Sequence, residues 1–157
     1  MASGWREQYE RVKRWHTRIA AATSFEPRDV DDFYAFFTCC FHLKDWLKND
    51  PSLDRGIGHS AEVFIETRTV ALQLCADVAN GSKHFVIDKH VRHSSDARVE
   101  RLMADADPPL DLPLDPKQEM TIIYADGVAW PALWVANRCV QVWEEFLVKK
   151  GLLLARS

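Results

Sequence analysis

The most concentrated group of chemically useful side chains lies within residues 75–84, whose sequence is CADVANGSKH. Asp77, Asn80 and His84 are separated by three and four residues, so a helix places them on one face, with Lys83 beside them. An imidazole could move a proton near neutral pH, an ammonium could balance phosphate charge, and an amide could orient a substrate. The spacing therefore predicts a site for phosphodiester chemistry. In it, His84 is the general acid/base, Lys83 contacts the phosphate, and Asn80 and Asp77 are orienting groups.

Two residues outside this segment are predicted to bind the substrate. Gln73 continues the same helical face toward the N-terminus, and Tyr34 belongs to the polar stripe of an earlier helix. Antiparallel packing of the two helices would bring Tyr34 toward Asp77. The alternative interpretation is structural: Gly81 ends the helix, and the polar residues around it only cap its C-terminus.

A weaker alternative is a metal site on the second predicted helix. His42 and Asp45 are three residues apart and share a face, so they could supply ligands to a metal-dependent hydrolase. Two ligands are too few for a metal centre, and a structural hydrogen bond is the competing interpretation. We therefore expect no metal and no cofactor.

The cysteines predict packing rather than chemistry. No two of the four are separated by the two residues of a zinc knuckle or a redox dithiol, so zinc bound through cysteine is not expected. Free cysteine is among the residue types most often buried. We expect Cys40, Cys75 and Cys139 to be small core residues on three helices, in a reducing cytoplasm.

Hydrophobic periodicity and end signals predict the elements that carry these residues. Asp29 is the predicted N-cap of the second helix, and Pro131 and Gly151 bracket the last helix. Alternating patterns and the Asp126-Gly127 pair predict strands and a tight turn before that helix. The predicted helices cover residues 4–23, 29–49, 61–82 and 132–150, and the predicted strands cover residues 85–92, 99–104, 120–125 and 128–130. The predicted fold class is mainly α: a four-helix bundle with a small antiparallel β insertion before the last helix.

Length and composition limit the classes of protein. The chain has 157 residues, 47% of them hydrophobic, and a net charge of −3, which predicts one helical-bundle domain spanning residues 1–157. This charge excludes a strongly basic surface for non-specific duplex binding. The longest apolar run is about half of the ~20 residues that a membrane helix needs, and no signal-peptide core is recognisable. We expect no membrane contact and a cytoplasmic location.

The polar segments resemble those of known families. His42-Leu-Lys-Asp45-Trp46 and the segment from Asp77 to His84 are similar to HLxDW and DxANGxKH segments in a group of small bacterial proteins. More distantly, a helical bundle with a polar motif ending in His after its third helix resembles HEPN domains. That family's motif is Arg, four to six residues, then His, often with Asn after the Arg. His84 and Asn80 match it, whereas the arginine positions hold Asp, Val and Ala.

The HEPN resemblance implies a metal-independent ribonuclease or an RNA-binding protein in a bacterial toxin or defence context. Under that interpretation the polar residues of segment 75–84 act on RNA. The alternative is a non-catalytic interaction module, either a homodimer or a toxin–antitoxin partner, in which the same residues only cap their helix. Whether the chain is an enzyme at all is left open by its sequence.

Overall fold

The computed structural model describes residues 4–21, 27–67, 69–84, 91–101 and 121–156; for residues 27, 28, 66, 67, 84 and 101 it describes the backbone alone. The fold is mainly helical, with a small antiparallel sheet before the last helix. In chain order the elements are α1 (Trp5–Ala21), α2 (Pro27–Asn49), α3 (Arg55–Thr67), α4 (Val70–His84), β1 (Arg98–Arg101), β2 (Thr121–Ala125), β3 (Val128–Pro131) and α5 (Ala132–Lys149).

The prediction of a single helix over residues 61–82 is wrong, because two helices, α3 and α4, cover this part of the chain. Thr69 starts the second of them: its hydroxyl oxygen accepts a hydrogen bond from the Leu72 backbone N–H at 3.2 Å. That bond satisfies a donor that every helix N-terminus leaves open, and Thr is a favoured residue at this position. The described chain therefore has five helices rather than the four predicted.

The start of α2 also differs from the prediction. The helix begins at Pro27, so Asp29 lies in its first turn and does not precede it as an N-cap. Proline is well suited to a first turn because its missing N–H would have no partner there. The Asp29 side chain is buried.

The core is centred on α2. Phe36, Phe37, Leu43 and Leu47 of this helix are almost completely buried. Helix α1 packs against α2 and α5, α4 packs against the same two helices, and α3 packs mainly on α2. Trp143 of α5 completes the interior, so large aromatic side chains fill much of the core.

The sheet has the strand order β1-β2-β3, with both pairs antiparallel. The predicted tight turn between β2 and β3 is confirmed: Asp126 has φ 51° and Gly127 has φ 77°, as a two-residue hairpin loop requires. Gly151 ends α5 with φ 73°, also as predicted.

Two predicted strands are altered. Residues 85–90 and 102–104 lie outside the described residues, and residues 91–92 form a loop and not a strand. Strand β1 begins at Arg98, one residue before the predicted start. No helix in the described part of the chain has the length and apolarity needed to cross a bilayer.

Candidate functional site

Asp77 lies on α4 and is completely enclosed, with 0% of its surface exposed. Its carboxylate accepts hydrogen bonds from three successive backbone N–H groups, those of Arg92 at 2.9 Å, His93 at 2.6 Å and Ser94 at 2.8 Å. Charge-assisted bonds of this kind compensate the desolvation of a buried carboxylate. Asp77 therefore anchors the loop before β1, and its surroundings give no support to the predicted role of orienting a substrate.

The two predicted substrate-binding residues lie near this anchored loop. The Tyr34 hydroxyl accepts a hydrogen bond from the Val99 backbone N–H at 3.2 Å, so Tyr34 and Asp77 hold the same stretch of chain. Gln73 is half-buried in the first turn of α4, where its backbone N–H donates to the Thr69 carbonyl at 3.1 Å. Tyr34 thus has a structural bond that the polar stripe of α2 did not reveal.

The C-terminal end of α4 carries the remaining predicted catalytic residues. The helix continues through Gly81 to residue 84, so Gly81 does not end it. Lys83 is exposed and Asn80 is half-buried, and neither makes an ion pair or a side-chain hydrogen bond with another described residue. The side chain of His84 lies outside the described residues, so its role as general acid/base stays a prediction.

His42 and Asp45, the weak metal alternative, lie on the surface of α2. His42 is exposed, and the Asp45 carboxylate accepts a hydrogen bond from Lys44 Nζ at 2.8 Å. Within the described residues, no third His, Cys, Asp or Glu completes a metal-binding group with them. Asp45 instead lines a shallow cavity of about 310 Å³, together with Trp5 and Trp46.

The loop from residue 92 to residue 97 is a structural segment that the sequence analysis did not identify. The Arg92 guanidinium lies 5.4 Å from the centroid of the Phe41 ring. Asp96 accepts hydrogen bonds from the Ser94 hydroxyl and from the Asp126 backbone N–H, and these bonds hold the pKa of the Asp96 carboxyl below its usual value. The Ser-Ser-Asp sequence of this loop is a turn signal that could have identified it.

The predicted burial of the cysteines on three helices is confirmed. Cys40 of α2, Cys75 of α4 and Cys139 of α5 are at most 1% exposed. In addition, each of their sulfur atoms lies within 4.8 Å of the other two. The Cys75 thiol donates to the Phe37 carbonyl and the Cys139 thiol donates to the Ala71 carbonyl, both at 3.3 Å. We call these three residues the thiol cluster.

The three thiols of the cluster differ in the direction of their pKa shifts. Burial raises the pKa of Cys75 and of Cys139 well above the usual value, and the interaction of each with Cys40 adds to this. Burial also raises the pKa of Cys40, but interactions with the side chains of Cys139, Cys75 and Trp143 outweigh it and lower the pKa to about 5. Each thiol has one hydrogen, so donation to Cys40 and donation to a backbone carbonyl are alternatives. Of the three thiols, Cys40 is the one whose pKa is lowered.

An open groove of about 540 Å³ separates α3 from α5, and we call it the α3–α5 groove. The aromatic rings of Phe64 and Phe146 line it, with their centroids 4.9 Å apart. The exposed side chains of Lys149 and Lys150 lie along the groove, where Glu145 is the one acidic lining residue. Lys149 has no carboxylate partner among the described residues.

Similarity to known proteins does not assign a function to any of these regions. The chain matches no protein-family model, no curated protein and no solved structure, so any assignment rests on the geometry of its own residues.

Proposed function

We propose that this protein is a non-catalytic interaction module that binds an acidic, amphipathic helix of a partner protein in the α3–α5 groove. The observation that carries this proposal is the combination of an apolar floor with unpaired positive charge. The exposed Val63 and the half-buried Phe64 supply the floor, above the buried Phe146. Lys149 supplies the unpaired charge, and Lys150, whose Nζ lies 5.7 Å from the Phe146 ring centroid, adds a second cation. An amphipathic helix recognises such a groove through its apolar face, and acidic residues beside that face would meet the lysines.

The surroundings of Asp77 also favour a non-catalytic role. A group that orients a substrate must be able to reach it, whereas this carboxylate is fully enclosed by three backbone donors. Of the four predicted catalytic residues, Asp77 is the one whose side chain makes hydrogen bonds among the described residues. The polar segment 75–84 thus combines an internal anchor with an exposed helix end.

A binding titration tests the proposal. The probe is a fluorescent amphipathic peptide built from Leu, Ala and Glu, and its charge control is the same peptide with Lys in place of Glu. We expect one acidic peptide per chain by fluorescence anisotropy and no binding of the basic peptide. Reversing both charges, with Lys149→Glu and Lys150→Glu, should weaken binding by about tenfold or more.

The matched control is Arg14→Glu, which reverses an exposed charge on α1, away from the groove. It should bind the acidic peptide like the wild-type protein. Equal binding of the acidic and basic peptides, or no binding of either, would contradict the proposal. Sedimentation at increasing protein concentration tests for a homodimer: self-association abolished by Lys149→Glu would identify a second copy as the occupant.

A cytoplasmic, HEPN-like bacterial ribonuclease that cleaves RNA without metal is the second candidate function. The observation that favours it is the exposed, unpaired Lys83 beside the half-buried Asn80 at the end of α4. The assay is cleavage of single-stranded RNA in the presence of a metal chelator. Cleavage that is lost in His84→Ala, with the melting temperature unchanged, would support this candidate over the interaction module.

A further inference from the structure

We propose that the thiol cluster is a binding site for one soft monovalent metal cation, Cu(I), held by the sulfur atoms of Cys40, Cys75 and Cys139. Our expectation from the sequence was the absence of any metal, because the cysteines lack the short spacings of known motifs. Cys40, Cys75 and Cys139 are far apart in the sequence, but the packing of α2, α4 and α5 brings their sulfur atoms close together.

The geometry needs little adjustment to bind a metal. An ion at the centre of three sulfurs, with metal–sulfur bonds of about 2.3 Å, requires sulfurs about 4 Å apart. The three sulfurs already lie within 4.8 Å of one another. Because the cysteines belong to three separate helices of one core, their positions are fixed by packing and not by a loop.

The donor set selects the kind of metal. Thiolate sulfurs are soft ligands, which favour Cu(I), zinc and iron–sulfur clusters. Structural zinc is almost always four-coordinate, and no fourth His, Cys, Asp or Glu ligand joins the thiol cluster within the described chain. Cu(I) is stable with three sulfur ligands. A three-sulfur site in a closed core therefore suits Cu(I) better than zinc.

Binding of the metal exchanges protons for the ion. The thiolate is the form of cysteine that ligates a metal, so each of the three thiols releases its proton to solvent when its sulfur binds Cu(I). No oxidant or reductant is needed, because copper is supplied as Cu(I) and keeps that oxidation state.

Trp143 provides a second observation that points to this cluster. Its indole N–H is buried and makes no hydrogen bond among the described residues, and Trp143 belongs to the same core cluster as the three cysteines. Buried donors are normally satisfied, and an indole N–H is a donor only. A metal-bound thiolate sulfur would give this N–H an acceptor.

The experiment is refolding of the full chain with Cu(I) under reducing, oxygen-free conditions, followed by challenge with a coloured Cu(I) chelator. Refolding is needed because the thiol cluster is sealed from solvent. We expect one Cu(I) to be retained per chain. Cys40→Ala, Cys75→Ala and Cys139→Ala should each lose it, whereas Cys39→Ala, which alters the half-buried neighbouring cysteine, should retain it.

X-ray absorption of the loaded wild-type protein decides the question even if an alanine variant fails to fold. We expect three sulfur ligands and no nitrogen or oxygen ligand. The proposal is overturned if the chelator removes all Cu(I), if the cluster variants retain as much as the wild type, or if nitrogen ligands are found. Retention of zinc under the same challenge, without retention of Cu(I), would also overturn it.

Discussion

Two buried polar groups lie two residues apart on α4, and they are satisfied to very different degrees. Asp77 is fully enclosed, and its carboxylate receives three backbone N–H groups. Cys75 is equally buried, but it shares its surroundings with two other thiols and with an indole N–H that lacks an acceptor.

This difference distinguishes a group with a structural role from a group that can still bind a ligand. A polar group whose hydrogen bonds are all made within the protein has none left for a ligand. Its role is to hold two segments of the chain together. A cluster of soft sulfur atoms in the same core as an indole N–H without an acceptor retains capacity for a ligand. Asp77 is the anchor of the loop before β1, whereas Cys75 belongs to a candidate binding site.

The largest effect is expected for Asp77→Asn. An amide keeps one acceptor oxygen and turns its NH2 group toward backbone donors, so at least one of the three bonds is lost in a buried place. We expect the free energy of unfolding to fall by about 3 kcal/mol, as measured by chemical denaturation. The control is Asp45→Asn, whose partly exposed carboxylate pairs with Lys44 and whose loss should change stability by less than about 1 kcal/mol. Equal losses in the free energy of unfolding for the two variants would contradict the idea that the buried carboxylate matters more than the exposed one.

A smaller effect is expected for Cys75→Ala in the metal-free protein. The change removes one buried sulfur and the thiol bond to the Phe37 carbonyl, but it leaves no charge uncompensated. We expect a loss of about 1 to 1.5 kcal/mol in the free energy of unfolding. If this loss exceeded that of Asp77→Asn, the thiol cluster would be the stronger structural element of α4, and the contrast between the two residues would be reversed.

The sequence predicted α1, α2, α5 and the hairpin because their signals are local. Periodicity, a terminal glycine and an Asp-Gly pair act within a few residues of where they stand. The break between α3 and α4 was missed because Thr69, a single capping residue, lies inside a continuous helical pattern. The number of helices was wrong for this reason.

The candidate sites could not be predicted in the same way. Asp77 shares a helical face with Asn80 and His84 in the sequence, yet its partners are backbone groups at residues 92–94, in a loop without regular structure. Backbone donors carry no residue-type signature. The thiol cluster likewise depends on how three helices pack. Sequence patterns reveal which face a residue occupies, and only tertiary packing reveals what it meets.

A third test concerns the other end of the anchored loop. In Tyr34→Phe, the Val99 backbone N–H loses its acceptor, the Tyr34 hydroxyl, at a half-buried position. We expect the free energy of unfolding to fall by about 1 kcal/mol, because this bond is neutral whereas those of Asp77 are charge-assisted. Tyr124→Phe is the matched control, since the Tyr124 hydroxyl makes no hydrogen bond among the described residues. A larger loss for Tyr124→Phe would contradict this assignment.

The smallest effect is expected for Asp96→Asn, and it should depend on pH. The Ser94 hydroxyl and then the Asp126 N–H lower the pKa of the Asp96 carboxyl in the folded protein. A folded-state pKa below the unfolded value stabilises the protein above the unfolded pKa, and this contribution is lost as pH falls through the folded pKa.

Denaturation of both proteins across the acidic range measures the effect. The difference between wild type and Asp96→Asn should be less than about 1 kcal/mol at neutral pH, because this carboxylate is half exposed, and it should shrink as Asp96 becomes protonated. Ser94→Ala should remove most of the pH dependence, because that hydroxyl is the largest cause of the lowered pKa. A difference that grew on acidification would have the wrong sign. It would mean that Asp96, unlike Asp77, holds the loop better as a neutral acid than as an anion.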